Sequence, residues 1–383
     1  MLKRLCVSNF YSFKDAMEVN FQLGGKAPAE FRKQGDINTV MGIKGANGSG
    51  KTNIIKALSF LKNFCHYSFR WDNKDAIPLE PWFDSQEPVN FLVEFSFDQN
   101  DYVYELEINP HEVLSEVLYK TTRGRQKLIE RRGTEVVEAS ADYQELKKIK
   151  LKPNGSVVGV LESYNFDASM YELENVSNFF LMILNNVSPT GFVNIDEAFE
   201  DVPKKYYENP ELLSFVARIL KIADNGIDNI HIEKTRSADG KELYIPKFTH
   251  LNSGIENELY LHQQSSGTQS LFKRMNYYAF VLGWGGILAL DEFDIHLHAL
   301  ILPELINLFL DKDSNPHNAQ LIFTAHNTEV LDTLGKYRTI LVNKEQNESY
   351  CYRLDDIPGT MVRNDRSIVP LYLQGKIGGI PGE

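Results

Sequence analysis

The sequence predicts an α/β fold in which a parallel-sheet core carries an antiparallel β lobe and a helical insert. A short apolar strand, a glycine-rich loop and a helical pattern follow one another within Val40–Leu58. Apolar residues alternate on both sides of a polar turn within residues 89–108, as in a β-hairpin. Farther along the chain the spacing becomes helical. We therefore expect a head built from residues 1–138 and 225–383, with residues 139–224 as a mainly helical insert.

Length and composition indicate a globular protein without a general affinity for nucleic acid. The 383 residues are 43% hydrophobic and 11% aromatic, which allows a substantial core. The net charge is −12, so contact with DNA would need a local basic face. Cys6, Cys65 and Cys351 are scattered, which is typical of a reducing compartment rather than of a disulfide or zinc scaffold. Residues 1–13 lack the apolar run of a signal peptide, and the apolar stretch 277–290 is too short to span a bilayer. We expect a cytoplasmic protein that does not contact a membrane.

Alternation and helical spacing locate the remaining elements in chain order. Before residue 139 we expect strands at Leu2–Phe13, Val19–Leu23, Val89–Phe97, Tyr102–Ile108, Val113–Lys120 and Lys127–Arg132. The expected helices of the insert are Tyr143–Lys150, Tyr171–Asn185 and Glu211–Asp224, with an acidic loop at Asp196–Asp201. The expected later strands are Ile227–Lys234, Glu242–Thr249, Ile287–Leu290, Gln320–Thr324, Arg338–Val342 and Ser349–Leu354. Between these strands we expect a helix ending near Leu282 and helices at Leu300–Leu310 and Thr328–Leu334.

The glycine-rich loop matches the P-loop pattern G-x-x-x-x-G-K-[ST] at Gly45, Gly50, Lys51 and Thr52. Glycines allow the unusual dihedral angles of a loop whose N–H groups surround anionic oxygens. The positive end of the following helix dipole faces the same oxygens. Lys51 would add a charge at the β- and γ-phosphates, and the Thr52 hydroxyl would ligate Mg²⁺. The alternative is a glycine-rich turn before an ordinary helix, but the strand–loop–helix context favours binding of a nucleoside triphosphate.

A buried apolar run at Gly286–Glu292 ends in two carboxylates. At the carboxyl edge of a parallel sheet, Asp291 would reach the magnesium shell and Glu292 would face the attacking water. Many strands end in acidic residues, so this pattern alone is weak. Its pairing with a P-loop predicts a Walker B strand followed by a general base.

Two further segments narrow the class of nucleotide-binding protein. Ser265–Gln269 opens a helix and presents small residues and N–H groups to an anion. Gln320–Asn327 is an apolar strand followed by His326, which can hydrogen-bond a γ-phosphate. Each segment alone could be an ordinary helix cap or a loop histidine. Their order along the chain, after the P-loop and on either side of the Walker B strand, predicts a P-loop NTPase of the ABC-ATPase type.

The chain resembles the SMC/RecF-like branch of ABC ATPases. It is more closely similar to the AAA-labelled ATPases of bacterial antiphage defence operons, the RloA/AbiL type, which includes the ATPase of the PARIS system. The matching segments are FYSFKD, GANGSGKTNIIKAL, VNFLVEFSFDQNDYVYELEI, QQSSGTQSLF, GGILALDEFDIHLH, QLIFTAHNTEVLD and VRNDRSIVPLYLQGKIGGIP. Together they span nearly the full length, and the set is specific although each short segment is not.

The resemblance implies a role for each matching residue of the nucleotide site. The residues that hold ATP are Asn47, Gly48, Ser49, Gly50, Lys51, Thr52 and Asn53. Thr52 and Asp291 bind Mg²⁺ in this reading. Glu292 is the catalytic base, and His326 is the catalytic switch histidine.

The resemblance also implies a site shared between two copies of the chain. Ser266 and Gly267 would form the signature that completes the ATP site of another subunit, and Asp294 would lie in the D-loop. Thr268 stands where transporter-type signatures carry a second glycine, a departure that suits the RecF-like branch. The expected minimum unit is a homodimer with ATP held between its subunits.

Two details of the family pattern stay open in the sequence. The Q-loop glutamine has three candidates, Gln86, Gln99 and Gln126. His296 and His298 resemble a metal-binding pair at strand spacing, whereas the family pattern makes them D-loop positions.

The resemblance implies a sensor or scaffold that controls a separate effector protein, such as a TOPRIM or RloB-like nuclease. The chain shows no nuclease constellation of its own, because its carboxylates outside the Walker B strand are dispersed. Two alternatives are a RecF-like DNA-repair ATPase and a nucleotide-gated binding module with little turnover.

Residues 120–152 carry ten basic and five acidic side chains, a local excess of positive charge. If this segment contacts DNA, the arginines expected to line the groove are Arg123, Arg125, Arg131 and Arg132. A solvated face and a surface for an acidic protein partner are the other interpretations. For any function of this segment we expect a protein partner rather than DNA, because the chain is acidic overall and no aromatic residues alternate with the arginines.

Overall fold

A computed structural model describes residues 1–193, 201–359, 361–363 and 365–380, apart from the side chain of Asn252. At its centre is a six-stranded sheet in the order β18-β17-β3-β16-β15-β9. These strands are β3 (Val40–Gly45), β9 (Ile183–Asn185), β15 (Ile287–Leu290), β16 (Gln320–Thr324), β17 (Thr339–Glu345) and β18 (Glu348–Arg353). Neighbouring strands from β17 to β9 are parallel, and β18 is antiparallel at one edge. The α/β P-loop fold with a parallel-sheet core is confirmed.

A seven-stranded antiparallel sheet in the order β2-β1-β4-β5-β6-β7-β8 forms the predicted β lobe. Its strands are β1 (Leu2–Ser8), β2 (Met17–Asn20), β4 (Val89–Phe97), β5 (Asn100–Ile108), β6 (Val113–Thr121), β7 (Arg125–Arg132) and β8 (Glu135–Ala139). Smaller sheets contain β10 (Val187–Ser188) with β11 (Gly191–Phe192), and β12 (Ile227–Arg236), β13 (Glu242–Asn252) and β14 (Ile255–Tyr260). β8, β10, β11 and β14 lie outside the predicted strands, because β10 and β11 have two residues each and most residues of β8 and β14 are exposed.

The α-helices cover both faces of the central sheet. They are α1 (Lys51–Tyr67), α2 (Tyr171–Leu181), α3 (Val202–Glu208), α4 (Pro210–Ala223), α5 (Ser266–Trp284), α6 (Leu302–Leu310), α7 (Val330–Leu334) and α8 (Val369–Leu373). In the described part of the chain, none of these helices combines the length and the apolar character needed to cross a membrane.

Side chains on the central strands alternate between two hydrophobic cores. Met41 and Ile322 belong to a core that also contains α1 and the inner face of the antiparallel sheet. Leu321 and Phe323 belong to a second core formed with α4, α5 and α6. A parallel sheet buried on both faces reads as a continuous apolar run, which is the pattern of Ile287–Leu290. The carboxyl edge of this sheet therefore remains the accessible place for polar chemistry.

The segment 139–224 differs from the prediction of a mainly helical insert. Residues 171–185 do not form one helix, because α2 ends at Leu181 and β9 follows as a parallel neighbour of β15. The expected helix at Tyr143–Lys150 is a run of 3₁₀ turns, Ala141–Lys148. The segment thus contributes a strand to the central sheet, while the division into head and insert stays a prediction. Most of the acidic loop predicted at Asp196–Asp201 lies outside the described residues.

Candidate functional site

The P-loop connects β3 to α1 with two glycines in left-handed conformations. Gly48 has φ 75° and Gly50 has φ 106°, values that side chains other than glycine adopt only at a cost. A Cβ atom on Gly50 would also lie 2.7 Å from Ser12 Oγ and 2.8 Å from Ser349 Oγ. The Lys51 ammonium is folded over the loop and donates to the carbonyls of Gly45 and Ala46, each over 2.8 Å. These features form an anion cradle at the start of a 17-residue helix.

Hydrogen bonds from two distant segments hold the P-loop in this shape. Asn53 Nδ2 donates to Ser12 Oγ over 2.9 Å, in the turn between β1 and β2. Ser349 Oγ, on β18, contacts Ser12 Oγ over 2.7 Å and donates to the carbonyl of Ser49 over 2.6 Å. Ser349 lies in no motif, and Ser12 belongs to the matching segment FYSFKD without a predicted role, so sequence reasoning missed their position beneath the loop.

The two acidic candidates end β15, within reach of the P-loop helix. Thr52 Oγ1 donates to Asp291 Oδ2 over 2.9 Å, and Thr324 Oγ1 donates to Asp291 Oδ1 over 2.6 Å. The Asn186 side chain donates to the carbonyl of Asp291 over 2.8 Å and accepts from its N–H over 2.7 Å. The Asp291 side chain is only 5% exposed and is fixed from three sides.

Glu292 follows Asp291 in a left-handed conformation with φ 50°. Its N–H donates to Thr324 Oγ1 over 2.9 Å. Burial lowers the pKa of Lys51, and the charges of Asp291 and Glu292 act in the opposite direction. Both carboxylates are therefore within electrostatic range of the P-loop lysine.

The predicted D-loop residue Asp294 holds the loop of the predicted switch histidine. Its carboxylate accepts hydrogen bonds from the N–H of His326, over 2.9 Å at Oδ2, and from the N–H of Asn327 over 2.6 Å. Sequence reasoning predicted both segments but not the contact between them. The geometry fixes the loop after β16 to the loop after β15.

A buried lysine holds the carbonyl side of the same loop. Lys44, on β3, is 2% exposed and donates to the carbonyls of Ala325, His326 and Asn327 over 2.9, 2.7 and 3.1 Å. Burial lowers its pKa to about 8, against the raising influence of Asp294. Its Nζ also lies 5.4 Å from the ring centre of Tyr372, near the end of the chain. Sequence reasoning did not single out Lys44, because a lone lysine in an apolar strand carries no motif.

A cavity of about 580 Å³ opens beside the P-loop. Besides Gly48 and Gly50–Asn53, its walls contain Tyr11, Ser12, Glu80, Pro81, Phe83, Asp84, Lys344 and Asn347. Phe83 is 68% exposed and has φ 41°, so an aromatic side chain is presented to solvent on a strained turn. Tyr11 and Phe83 offer ring faces, and Lys344 offers a positive charge. None of these three was predicted as a site residue.

The predicted signature residues line a different cavity of about 490 Å³. Ser265 caps α5 by accepting from the N–H of Thr268 over 3.1 Å. Ser266 and Gly267 share this cavity with Asp224. A Cβ atom on Gly267 would lie 2.7 Å from the carbonyl oxygen of His296, so this contact requires glycine. Within one chain, no described residue lines both this cavity and the P-loop cavity.

The structure does not support a metal site at the two D-loop histidines. His298 Nδ1 accepts from the N–H of Leu300 over 3.3 Å. Nowhere in the described ranges do three or more His, Cys, Asp or Glu side chains cluster as ligands of a metal ion. The family reading of His296 and His298 as loop residues fits this arrangement better than the metal pair.

None of the three Q-loop candidates lines the P-loop cavity. Gln99 is in the hairpin between β4 and β5, and Gln126 is on β7. Gln86 donates to the carbonyl of Asp84, a residue of the P-loop cavity wall. The polar residue that follows β9, the edge strand beside β15, is Asn186, and its side chain contacts Asp291.

The basic segment 120–152 is largely engaged in contacts within the chain. Arg131 is fully buried and pairs with the buried Glu116 over 3.1 Å, so it cannot line a DNA groove. Three members that reach the surface have acidic neighbours: Arg125 with Glu94 and Glu105, Arg132 with Glu130, and Lys127 with Glu130 and Glu138. The expectation that Arg131 belongs to the groove is wrong, because a charge count cannot distinguish a buried arginine from an exposed one.

The donor set of the P-loop site fits a magnesium nucleotide. A threonine hydroxyl and a carboxylate oxygen are hard ligands of the kind that Mg²⁺ binds together with phosphate oxygens and water. The positive-φ glycines and Lys51 form a cradle for phosphate. Thr52 and Asp291 would hold the metal, which would neutralise charge on the phosphates.

The chain is similar to solved structures and matches one family model. Among solved structures, 91 chains match, including the SMC head domain from Thermotoga maritima. That structure is 15% identical, with a TM-score of 0.46 over 92% of this chain and 98% of the other. No curated protein matches the sequence significantly. Residues 40–332 match the model of a family described as "AAA domain, putative AbiEii toxin, Type IV TA system". Because the match spans more than half of the chain, the protein belongs to this family of AAA domains.

Proposed function

We propose that this protein binds ATP with Mg²⁺ and hydrolyses it to ADP and phosphate. The observation that carries the proposal is the junction of Thr52 and Asp291, which joins the P-loop helix to the acidic end of β15. P-loop ATPases catalyse mainly by positioning and charge stabilisation, for which this junction is suited.

In this proposal, different groups of the chain bind the phosphates, orient the water and contact the γ-phosphate. N–H groups of the loop and the Lys51 ammonium would bind phosphate oxygens once Lys51 releases the carbonyls of Gly45 and Ala46. Glu292 would orient a water molecule and accept its proton. The His326 side chain would donate a hydrogen bond to the γ-phosphate, on a loop held by Lys44 and Asp294.

The active unit in this proposal is a homodimer with two shared sites. The cavity of Ser266 and Gly267 is separate from the P-loop cavity of the same chain. A second copy would bring its α5 N-terminus to the phosphates, where N–H groups and the helix dipole favour negative charge. ATP would thus hold the two copies together.

The Glu292→Gln variant tests the catalytic assignment. It keeps size and hydrogen-bonding capacity but removes the base, so we expect ATP binding to persist while turnover falls at least about a hundredfold. Light scattering after gel filtration should show an ATP-dependent dimer that persists longer than the wild-type dimer. Glu304→Gln, an exposed change on α6, is the matched control and should leave both properties unchanged. Normal turnover in Glu292→Gln would contradict the assignment of the base.

We further propose that ATP-driven dimerisation controls a separate effector nuclease in antiphage defence. The resemblance to defence-operon ATPases supports this role, and the family description names a toxin of a type IV toxin–antitoxin system. The test is a phage-plating assay of cells that carry this gene together with its neighbouring genes. Protection should disappear with Lys51→Ala and with deletion of the adjacent nuclease gene. Unchanged protection in either case would contradict the role.

A DNA-repair ATPase is the weaker candidate, because Arg131 is buried and Arg125, Lys127 and Arg132 are paired with acidic neighbours. The third candidate is a nucleotide-gated binding module with little turnover. The rate of phosphate release from the wild-type chain distinguishes it from the defence ATPase and the repair ATPase, because both of these hydrolyse ATP.

A further inference from the structure

A second polar cavity lies at the opposite edge of the central sheet from the P-loop. Its volume is about 500 Å³. Asn38 and Thr39 line it immediately before β3, and Arg338 lines it immediately before β17. Since the P-loop follows the carboxyl end of β3, the six residues of that strand separate the two sites by about 20 Å.

Three residues that line the cavity each carry a buried polar atom without a hydrogen-bond partner among the described residues. The atoms are Asn38 Oδ1, Gln34 Nε2 and Arg338 Nε. The Asn38 side chain is only 2% exposed, and its Nδ2 donates to the carbonyl of Tyr337 over 2.8 Å. That hydrogen bond fixes the amide and leaves Oδ1 as an acceptor. A buried polar atom without a partner costs about 1–3 kcal/mol, so three of them around one cavity call for an explanation.

The charges of the cavity wall favour an anion. Burial lowers the pKa of Arg338 to about 10, and the charge of Glu30 acts in the opposite direction. Its guanidinium lies 4.5 Å from the ring centre of Phe31, which fixes its plane. Lys33 and Lys312 stand at the exposed rim. The wall holds three cationic side chains against the carboxylates of Glu30 and Asp311.

We propose that this cavity is a second ligand site, which binds a small molecule carrying a phosphate or carboxylate group. Arg338 and Gln34 would donate hydrogen bonds to the anionic group. A planar guanidinium is suited to this role, because its N–H groups match the spacing of phosphate or carboxylate oxygens. Asn38 Oδ1 would accept from an N–H or O–H group of the same ligand. The rim lysines would attract the ligand without fixing its orientation.

The site is built into the strands that carry the nucleotide site. Gln320 Nε2 donates to the carbonyl of Asn38 over 3.1 Å, and Thr39 Oγ1 donates to the carbonyl of Phe309 over 2.8 Å. A ligand here would therefore contact a backbone that is tied to β16 and to the end of α6. Because the ligand would bind the folded chain and not the unfolded chain, it would raise the free energy of unfolding.

Thermal unfolding in matched salts tests the proposal with two simple probes. The full-length chain, with Lys51→Ala to weaken anion binding at the P-loop, is melted in potassium phosphate, potassium succinate and potassium chloride at equal ionic strength. We expect at least one of the first two salts to raise the melting temperature by about 2 °C over chloride. A rise with phosphate alone assigns a phosphate-bearing ligand, and a rise with succinate alone assigns a carboxylate-bearing one.

Two variants at the site and one control separate specific binding from general salt effects. Arg338→Met and Gln34→Leu should each abolish the rise, the second serving where the first fails to fold. Arg218→Met, an exposed change on α4, should keep it. The proposal is overturned if neither salt raises the melting temperature over chloride. It is also overturned if the site variants keep the full rise, because phosphate stabilises many proteins by exclusion from their surface.

Discussion

Thr52 Oγ1 donates a hydrogen bond to Asp291 Oδ2 over 2.9 Å, although 239 residues separate them in the chain. The contact joins the first turn of α1 to the end of β15 across the carboxyl edge of the central sheet. Thr324 Oγ1 contacts the other carboxylate oxygen over 2.6 Å. One carboxylate therefore connects three segments that the sequence presents as separate motifs.

The first prediction concerns the charge of this carboxylate. Asp291→Asn keeps the shape of the side chain but removes the charge that a magnesium ion requires. We expect the affinity for a fluorescent ATP analogue in the presence of Mg²⁺ to fall about tenfold or more. In EDTA, wild type and variant should bind the analogue alike. Equal loss of affinity with and without Mg²⁺ would instead indicate a damaged fold.

The second prediction concerns Lys44 and the pH dependence of turnover. Its pKa is lowered from 10.5 to about 8 by burial, so it loses its proton as the pH rises through about 8. A neutral amine has only two N–H donors for the three carbonyls of Ala325, His326 and Asn327. We expect kcat of the wild-type enzyme to fall above about pH 8. Lys44→Met should lower kcat about tenfold at pH 7 and remove this part of the pH profile.

The stability of the fold should change in the opposite direction. Because the unfolded chain holds the Lys44 proton more tightly than the folded chain, this group makes unfolding costlier as the pH rises from about 8 toward 10.5. Denaturant unfolding of the wild type and Lys44→Met at both ends of that range isolates the contribution. A kcat profile unchanged by Lys44→Met would contradict the positioning role.

The third prediction concerns the buried pair of Arg131 and Glu116. Arg131→Glu would place two carboxylates in a site where both side chains are fully buried, and breaking such a pair costs about 3–5 kcal/mol. We expect this variant to melt far below the wild type or to be recovered unfolded. Arg123→Glu, in the exposed turn between β6 and β7, should change the free energy of unfolding by less than about 0.5 kcal/mol.

A test of DNA retention consequently requires Arg123, Arg125 and Arg132 to be changed without Arg131. We expect this triple variant to fold and to leave any DNA binding unchanged, as measured by the salt dependence of the dissociation constant. A salt slope reduced by about 0.9 for each arginine would contradict the view that the segment is neutralised by its own acidic neighbours.

Most of the correctly predicted strands have a strong local sequence pattern. The strands Val89–Phe97, Ile287–Leu290 and Gln320–Thr324 have their predicted bounds, because alternation or a continuous apolar run leaves no ambiguity. Ile183–Asn185 was predicted as the end of a helix. A segment of three residues is too short to show the alternation of a strand. Ile183–Asn185 forms a strand because it pairs with the edge of β15, a long-range contact that the local sequence does not show.

Some residues of the candidate site could be predicted from local sequence patterns, and others depend on long-range contacts. Sequence motifs located Lys51, Thr52 and Asp291, because phosphate and metal chemistry needs those residue types in a fixed local order. Lys44 and Asn186 became visible only in three dimensions, since each acts through backbone groups of a distant loop. Residues that position other residues from a distant part of the chain do not occur at a fixed spacing, so no sequence motif identifies them.

The central claim, an ATP site completed by a second copy of the chain, is tested most directly by mixing two inactive variants. Lys51→Ala disables the P-loop of a chain, and Ser266→Arg blocks its signature surface. Neither variant alone should hydrolyse ATP. In a mixed dimer, one site combines both defects, and the other combines two intact surfaces. An equimolar mixture in which the chains pair at random should therefore recover about a quarter of wild-type phosphate release, since half of the dimers are mixed and each has one good site of two. A mixture no more active than the sum of its two components would contradict the shared site.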